Sequence, residues 1–303
     1  LAEFDKIEDK ITLLLFQIFE GIMSLSIAEQ GRNFARSASY AKYRLCKDVE
    51  RFASDIGLTH RVLDIGSGTQ TPYRSLFQAE HYFGLDYFES THVSADATNL
   101  PFESKIASVV VATEVMEHLS EPQKALAEMN RVLETGGHLV LTVPLIWGVH
   151  DYIDYQRWTA RGLAEMLTKH GFNVVQLKQR GGIFSMIGSM IGQIPMQLFG
   201  KMDGQNRLRS LIYIGLWSML APIQWILAPL DVLDKRRDFT VGYSLLCCKV
   251  VDIVDVDVAT ESAATESVVK HRNYAIYEEQ EMVSTSSLST TSYSTSETAI
   301  HIS

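Results

Sequence analysis

Asp64, Asp86 and Asp96 each stand at or just beyond the end of an apolar run, where a carboxylate can meet a ligand. Asp64 lies inside Arg61-Val62-Leu63-Asp64-Ile65-Gly66-Ser67-Gly68, a short strand buried on both faces that runs into a turn with two glycines. A lone buried carboxylate is costly and needs a partner. Asp86 closes His81-Tyr82-Phe83-Gly84-Leu85-Asp86, twenty residues after Gly66, and can accept both hydroxyls of a ribose. Asp96 can accept from an adenine amino group while the Ala97 N–H reaches a ring nitrogen. A pyrophosphate partner fits poorly. The dinucleotide fingerprint wants a small residue at position 71, where Thr71-Pro72 stands, and no lysine follows in P-loop spacing. An adenosine joined to an amino acid through a sulfonium fits better, with Asp64, Gly66, Ser67 and Gly68 against the methionine portion and Asp64 offsetting its ammonium charge.

A second group of residues suits an acceptor. His150, Asp151 and Asp154 follow the fifth apolar run, at the carboxyl edge where such sheets bind ligands. If the acceptor is a hydroxyl, a base within reach helps. His150 is the first candidate and Asp154 the second; the structural alternative has Asp154 pairing with Arg157 to tie down the loop. Glu117-His118 follows the fourth run, with either an acceptor contact by His118 or helix capping as its role. Thr113 and Glu114 are expected to line the floor under the methyl. Tyr152, Tyr155 and Trp158 are wall or core. No His, Cys or Asp cluster has metal-ligand spacing, and no metal is expected.

These groups need a frame. Helical patterns cover 4–30 and 38–56, the second with Tyr40, Tyr43, Val49, Phe52 and Ile56 near helical spacing and a stop at Gly57. Strands are expected at 61–65, 81–86, 93–97, 106–113, 138–143, 172–177 and 239–250. A helix is expected directly after the glycine turn, another from Pro122 to Leu133 ended by Gly136-Gly137, and a third over 159–170 closed by Gly171. Alternation at this spacing predicts an α/β fold: a Rossmann-like, seven-stranded, mostly parallel sheet with helices on both faces and a helical insertion between the last two strands. Residues 1–57 form covering helices, 58–250 the main domain with 183–234 as the insertion, and 251–303 an acidic tail rich in Ser and Thr, expected to be disordered.

The insertion has two arms, 181–200 and 210–230, that carry no charged residue. Either is long enough to span a bilayer. Gln193, Pro195, Gln197, Pro222, Gln224 and Pro229 argue against spanning, which leaves a membrane-contacting lid over 183–230 or plain cover of the core. Trp217, Trp225 and Tyr213 suit a surface apolar on one side and wet on the other. Of the net charge of −9, −7 sits in 251–303 (nine acids, two bases), so 1–250 is close to neutral. That excludes the basic face of a nucleic-acid binder. Cys46, Cys247 and Cys248 read as reduced thiols of a cytoplasmic protein, at the inner face of a membrane if the insertion touches one.

The ordered segments VLDIGSG, GLD, ADATNLPF, VVVATEVMEHLSEP and LETGGHLVLTVP resemble class I S-adenosylmethionine-dependent methyltransferases of the type 11 group, over about 60–180. The resemblance implies S-adenosyl-L-methionine as cofactor, held by Asp64, Gly66, Ser67, Gly68, Asp86, Tyr87, Asp96, Ala97, Thr113 and Glu114. The family has a third glycine where Gln70 stands. Thr71–Phe77 and His150–Thr159 further resemble a branch found among bacterial cell-surface glycan genes. The implied activity is methyl transfer to a small or lipid-linked acceptor such as a sugar hydroxyl of a glycan precursor, the alternative being a catalytically silent cofactor-binding scaffold. A nucleotide-dependent oxidoreductase is disfavoured by Thr71.

Overall fold

The computed structural model describes residues 39–69, 71–88, 92–149, 152–199 and 207–250. The helix expected over 4–30 and the tail from 251 onward lie outside the described residues. The first described helix, α1 (Tyr40–Ile56), starts where the Ser39 side chain accepts from Lys42 N and ends at Gly57, whose φ of 74° suits a residue without a Cβ. It buries Ala41, Leu45, Val49 and Phe52, spaced as one helical face. Tyr40 and Tyr43, read above as part of that stripe, instead hold Trp225 of the insertion at ring distances of 5.2 and 5.1 Å.

The sheet contains β1 (Thr59–Ile65), β2 (Ala79–Asp86), β3 (Val93–Ser94), β4 (Ala107–Thr113), β5 (Leu133–Pro144), β6 (Phe172–Gln179) and β7 (Gly242–Lys249), in the spatial order β3-β2-β1-β4-β5-β7-β6. All neighbours pair in parallel except β7, which is antiparallel to both β5 and β6. This is the Rossmann-like, seven-stranded architecture expected. One face packs on α1 through Val62, Tyr82, Val109, Val111 and Val140. The other packs on α2 (Pro122–Val132) and α3 (Ala160–Lys169) through Leu63, Ile65, Val110, Leu139 and Leu245. The β-branched run at 107–113 thus serves both cores by alternation.

Two local expectations need correction. No α-helix follows the glycine turn: thirteen residues (66–78) join β1 to β2 with only a 3₁₀ turn, Arg74–Leu76. That face of the sheet is covered from earlier in the chain, by α1, which removes the need for a crossover helix. Helix α2 also stops before Gly136-Gly137. Leu133 takes extended angles and pairs with Ala107, so β5 begins there, and a register shift between Ala107 and Val109 absorbs a segment that contains the two glycines.

The insertion is a helical pair, α4 (Ile183–Phe199) and α5 (Arg207–Leu227), with a 3₁₀ turn at Ala228–Leu233. The helices approach closely at two glycines: a Cβ on Gly188 would lie 2.9 Å from Gln224 Cα, and one on Gly192 would lie 2.2 Å from Gln224 Nε2. Tyr213 and Trp217 are buried with Ala221 against Met196 and Phe199, so these aromatics hold the hairpin together rather than meeting its surroundings. Asp231 caps α4, accepting from Gly182 N, Phe184 N, Ser185 N and Ser185 Oγ. Tyr40 N donates to Gln224 Oε1, which fastens α5 to α1.

Candidate active site

The strand order reverses between β1 and β4, and their carboxyl ends form the crevice where open α/β sheets bind ligands. Gly66 and Gly68 take φ of 70° and 59°, and a Cβ on Gly66 would lie 2.3 Å from Val115 Cγ2 in the loop after β4. Only glycine supplies both that backbone and that approach. Ser67 N donates to Leu85 O, and Gly68 N donates to Asp86 Oδ2 at 3.0 Å, while Asp86 Oδ1 accepts from Phe88 N. The carboxylate at the end of β2 therefore fixes the turn at the end of β1. Tyr87 is exposed beside it.

Asp64 is fully buried beneath this turn. Tyr82 is the partner that a buried carboxylate needs, donating its hydroxyl to Oδ2 at 2.7 Å. Oδ1 has no partner among the described residues. Burial raises the Asp64 carboxyl to about 7, opposed by the Tyr82 hydrogen bond and by Lys42 and reinforced slightly by Asp86. Asp96 is exposed and turns its own loop, with Oδ1 accepting from Thr98 N and Thr98 Oγ1, both at 2.8 Å; Ala97 is buried.

Past β4, Thr113 is half-buried and Glu114 takes φ of 55°, a left-handed conformation that costs a residue with a Cβ about 1–3 kcal/mol. Hydrogen bonds hold it there. Glu114 N donates to Thr142 O, and Glu114 Oε1 accepts from Thr142 Oγ1 at 2.9 Å and from Arg180 Nη2 at 2.8 Å. The carboxylate is turned toward β5 and the root of α4 by these bonds. Sequence reasoning missed Arg180, although it is the last charge before an uncharged arm.

Glu117 belongs to the Glu117-His118 pair singled out in the sequence for an acceptor contact or helix capping. It is fully buried on the 3₁₀ turn Met116–His118, and neither carboxylate oxygen has a hydrogen-bond partner among the described residues. Burial, then the charge of Glu114, raises it to about 8 against the pull of Arg157 and Arg180, so it is largely protonated at neutral pH. His118 Nδ1 lies 2.5 Å from Ile153 O, and because a carbonyl only accepts, Nδ1 carries the hydrogen. Its Nε2 lies 3.7 Å from Glu117 Oε1. Tyr155 N donates to Glu117 O and Gln156 Nε2 to Leu119 O, so segment 153–156 is clamped onto this turn.

Asp154 forms a two-pronged ion pair with Arg157, Oδ2 accepting from Nη2 at 2.7 Å and Oδ1 from Nη1. That is the loop-tying alternative, and it makes Asp154 a poor base because both oxygens are taken. Tyr152 is 99% exposed, Tyr155 is exposed, and Trp158 packs on the core, so these three do not form one wall. His150, Asp151 and Gln70 lie outside the described residues.

Residues 37–177 match a family described as methyltransferase domain. A demethylmenaquinone methyltransferase from Clavibacter sepedonicus is 28% identical over 132 residues, covering 36% of this chain and 53% of that protein. A chloroplastic 2-methyl-6-phytyl-1,4-hydroquinone methyltransferase from Spinacia oleracea is 27% identical over 176 residues, covering 50% and 51%. The chain thus spans about half the length of these curated relatives. Among solved structures, a putative sarcosine dimethylglycine methyltransferase from Galdieria sulphuraria aligns at a TM-score of 0.46 with 12% identity, over 70% of this chain and 85% of that one.

Proposed function

We propose that this chain, whose residues 37–177 match a methyltransferase-domain family, is a class I S-adenosylmethionine-dependent methyltransferase acting on a small-molecule acceptor. The carrying observation is the glycine turn at the sheet's switch point, pinned by Asp86 and lying over the unpaired Oδ1 of Asp64. A buried carboxylate oxygen without a partner fits a ligand ammonium. The Gly66–Gly68 backbone offers the close approach an amino-acid moiety needs, and Asp86 and Asp96 stand at successive strand ends for ribose and adenine. Tyr87, Ala97, Thr113 and Glu114 complete the cofactor set. S-adenosylmethionine supplies an electrophilic methyl with a good leaving group, so the protein's task is to align an acceptor and exclude water.

The acceptor side lies past β4 and β5. His150 and His118 are the candidate bases; with Nδ1 of His118 committed to Ile153 O, its Nε2 holds the lone pair. Protonated Glu117 does not compete for a proton at neutral pH. We place the acceptor among small or lipid-linked molecules, such as a sugar hydroxyl of a glycan precursor. The relatives' names support the broader class, since they describe demethylmenaquinone and hydroquinone acceptors, the latter with a phytyl chain. Three free thiols suit a cytoplasmic setting.

Calorimetry with S-adenosylhomocysteine tests the cofactor site. Wild type should bind, Asp86→Ala should lose binding, and Asp64→Asn should weaken it by about tenfold or more, the range for one charge-assisted hydrogen bond. Because ligand ammonium favours ionised Asp64, affinity should rise with pH and level off above about 7. Equal binding by wild type and Asp86→Ala would remove the proposal. Cofactor binding without methyl transfer to cell extract would leave a silent scaffold.

A further inference from the structure

The α4–α5 hairpin has a buried side and an apolar outer side. On α4 the small residues Ser185, Gly188, Ser189 and Gly192 are buried, and Met190 and Leu198 on the opposite face are exposed. On α5 and the turn after it, Leu211, Met219, Ile226 and Leu233 are exposed, Met219 by 75%. Arg209–Leu233 is long and apolar enough to cross a membrane by length and composition. Its buried Gln224 is bonded to α1, and Asp231 is committed to the α4 cap. These ties hold the segment against the domain.

We infer that this outer face docks in the interfacial plane of an anionic lipid membrane, lying on the bilayer rather than spanning it. Charge complementarity selects lipid as the occupant. The sequence puts Lys201, Arg207 and Arg209 between the arms and Lys235, Arg236 and Arg237 after them, against Asp203, Asp231, Asp234 and Asp238, which gives 6 − 4 = +2 at the ends of two uncharged stretches, the excess lying in 201–209. Lys235, Arg236 and Arg237 are exposed. Arg236 pairs with Asp238 at 2.9 Å, so the net positive charge lies in the segment between the arms, and an apolar face with a cationic segment at its end matches acyl chains beneath anionic headgroups.

The hairpin also adjoins the acceptor edge. A Cβ on Gly148, in the loop after β5, would lie 3.4 Å from Gln193 Oε1 and 3.5 Å from Gln197 Nε2 of α4. Docking would therefore bring the acceptor side of the site close to the lipid surface. The docking itself stands on the hairpin alone; only the delivery of a lipid-linked acceptor rests on the methyltransferase reading.

Co-sedimentation of the full chain with phosphatidylcholine vesicles, plain or doped with phosphatidylglycerol, tests the docking. Wild type should bind the doped vesicles. Met190→Asp/Met219→Asp should lower partition by about tenfold or more, since each buried apolar side chain matters on the scale of a decade in affinity. Both positions are exposed, and the milder Met190→Ser/Met219→Ser guards against misfolding. Arg236→Glu/Arg237→Glu should weaken binding to doped vesicles and leave plain ones unaffected. Equal partition of wild type and the Asp variant would overturn the inference. So would retention after alkaline carbonate washing, which indicates a span, or self-association that the Asp variant abolishes without any vesicle effect, which indicates a second copy of the chain. Calorimetry with S-adenosylhomocysteine on the same samples reports separately on the methyltransferase reading.

Discussion

Glu117 ties the stability of the fold to pH, because burial raises its carboxyl above the ordinary range. Its folded value of about 8 lies above the ordinary 4.5, so between those values the folded chain keeps a proton that the unfolded chain releases. Stability must then fall as pH rises through this window and level off above about 8. Asp64 acts with the same sign between 3.8 and about 7. Glu117→Gln removes the first contribution and leaves the second. Urea midpoints for the variant should therefore fall less between pH 7 and pH 9 than for wild type; equal slopes would mean that Glu117 is already ionised in the fold. At this scale the sequence was legible where spacing carried the signal. Asp64, Gly66, Gly68 and Asp86 stand in a recognisable order at strand ends, and the structure brings them together. The position of Glu117 was legible but its burial was not, and Arg180 carried no signal, because burial and an ion pair to Glu114 across 66 residues exist only after folding.

At the scale of elements, hydrophobic period sufficed for the strands and failed where coverage could come from elsewhere. The run 107–113 could be only a buried strand, but the stretch after Gly68 was expected to form a helix that α1 makes unnecessary. In α1 the period was visible, yet two apparent core tyrosines serve Trp225 instead. The small-residue stripe of α4 gives a sharper test of packing. Gly188→Ala would push a methyl against backbone, Gln224 Cα, which cannot move away; Gly192→Ala would press on the far end of the Gln224 side chain. The first should destabilise the protein by about 1–3 kcal/mol, the range for overpacking. The second should cost less and act chiefly through the Gln224–Tyr40 bond. Thermal melts of the two variants check the order.

At the scale of the molecule, the charge distribution and the sheet topology divide the labour. A sheet of order β3-β2-β1-β4-β5-β7-β6 places the glycine turn at the crevice between β1 and β4, and the β6–β7 connection carries the hairpin at the same carboxyl edge. Arg180 joins the two regions: it stands three residues before α4 and donates to Glu114 Oε1 and Val143 O. Glu114 in turn is held in a left-handed backbone conformation just past the carboxyl end of β4.

If the proposed cofactor and membrane binding both occur, linkage makes them thermodynamically answerable to each other, and Arg180 is the residue that touches both regions. Whatever factor anionic vesicles impose on S-adenosylhomocysteine affinity, the nucleoside must impose on vesicle affinity, because the cycle of four states closes. Both factors can be measured with the same calorimeter and the same vesicles. If Arg180 transmits the effect, Arg180→Lys should bring both toward unity, since an ammonium cannot reproduce the guanidinium's paired geometry. A factor that survives this substitution would locate the communication elsewhere in the sheet edge.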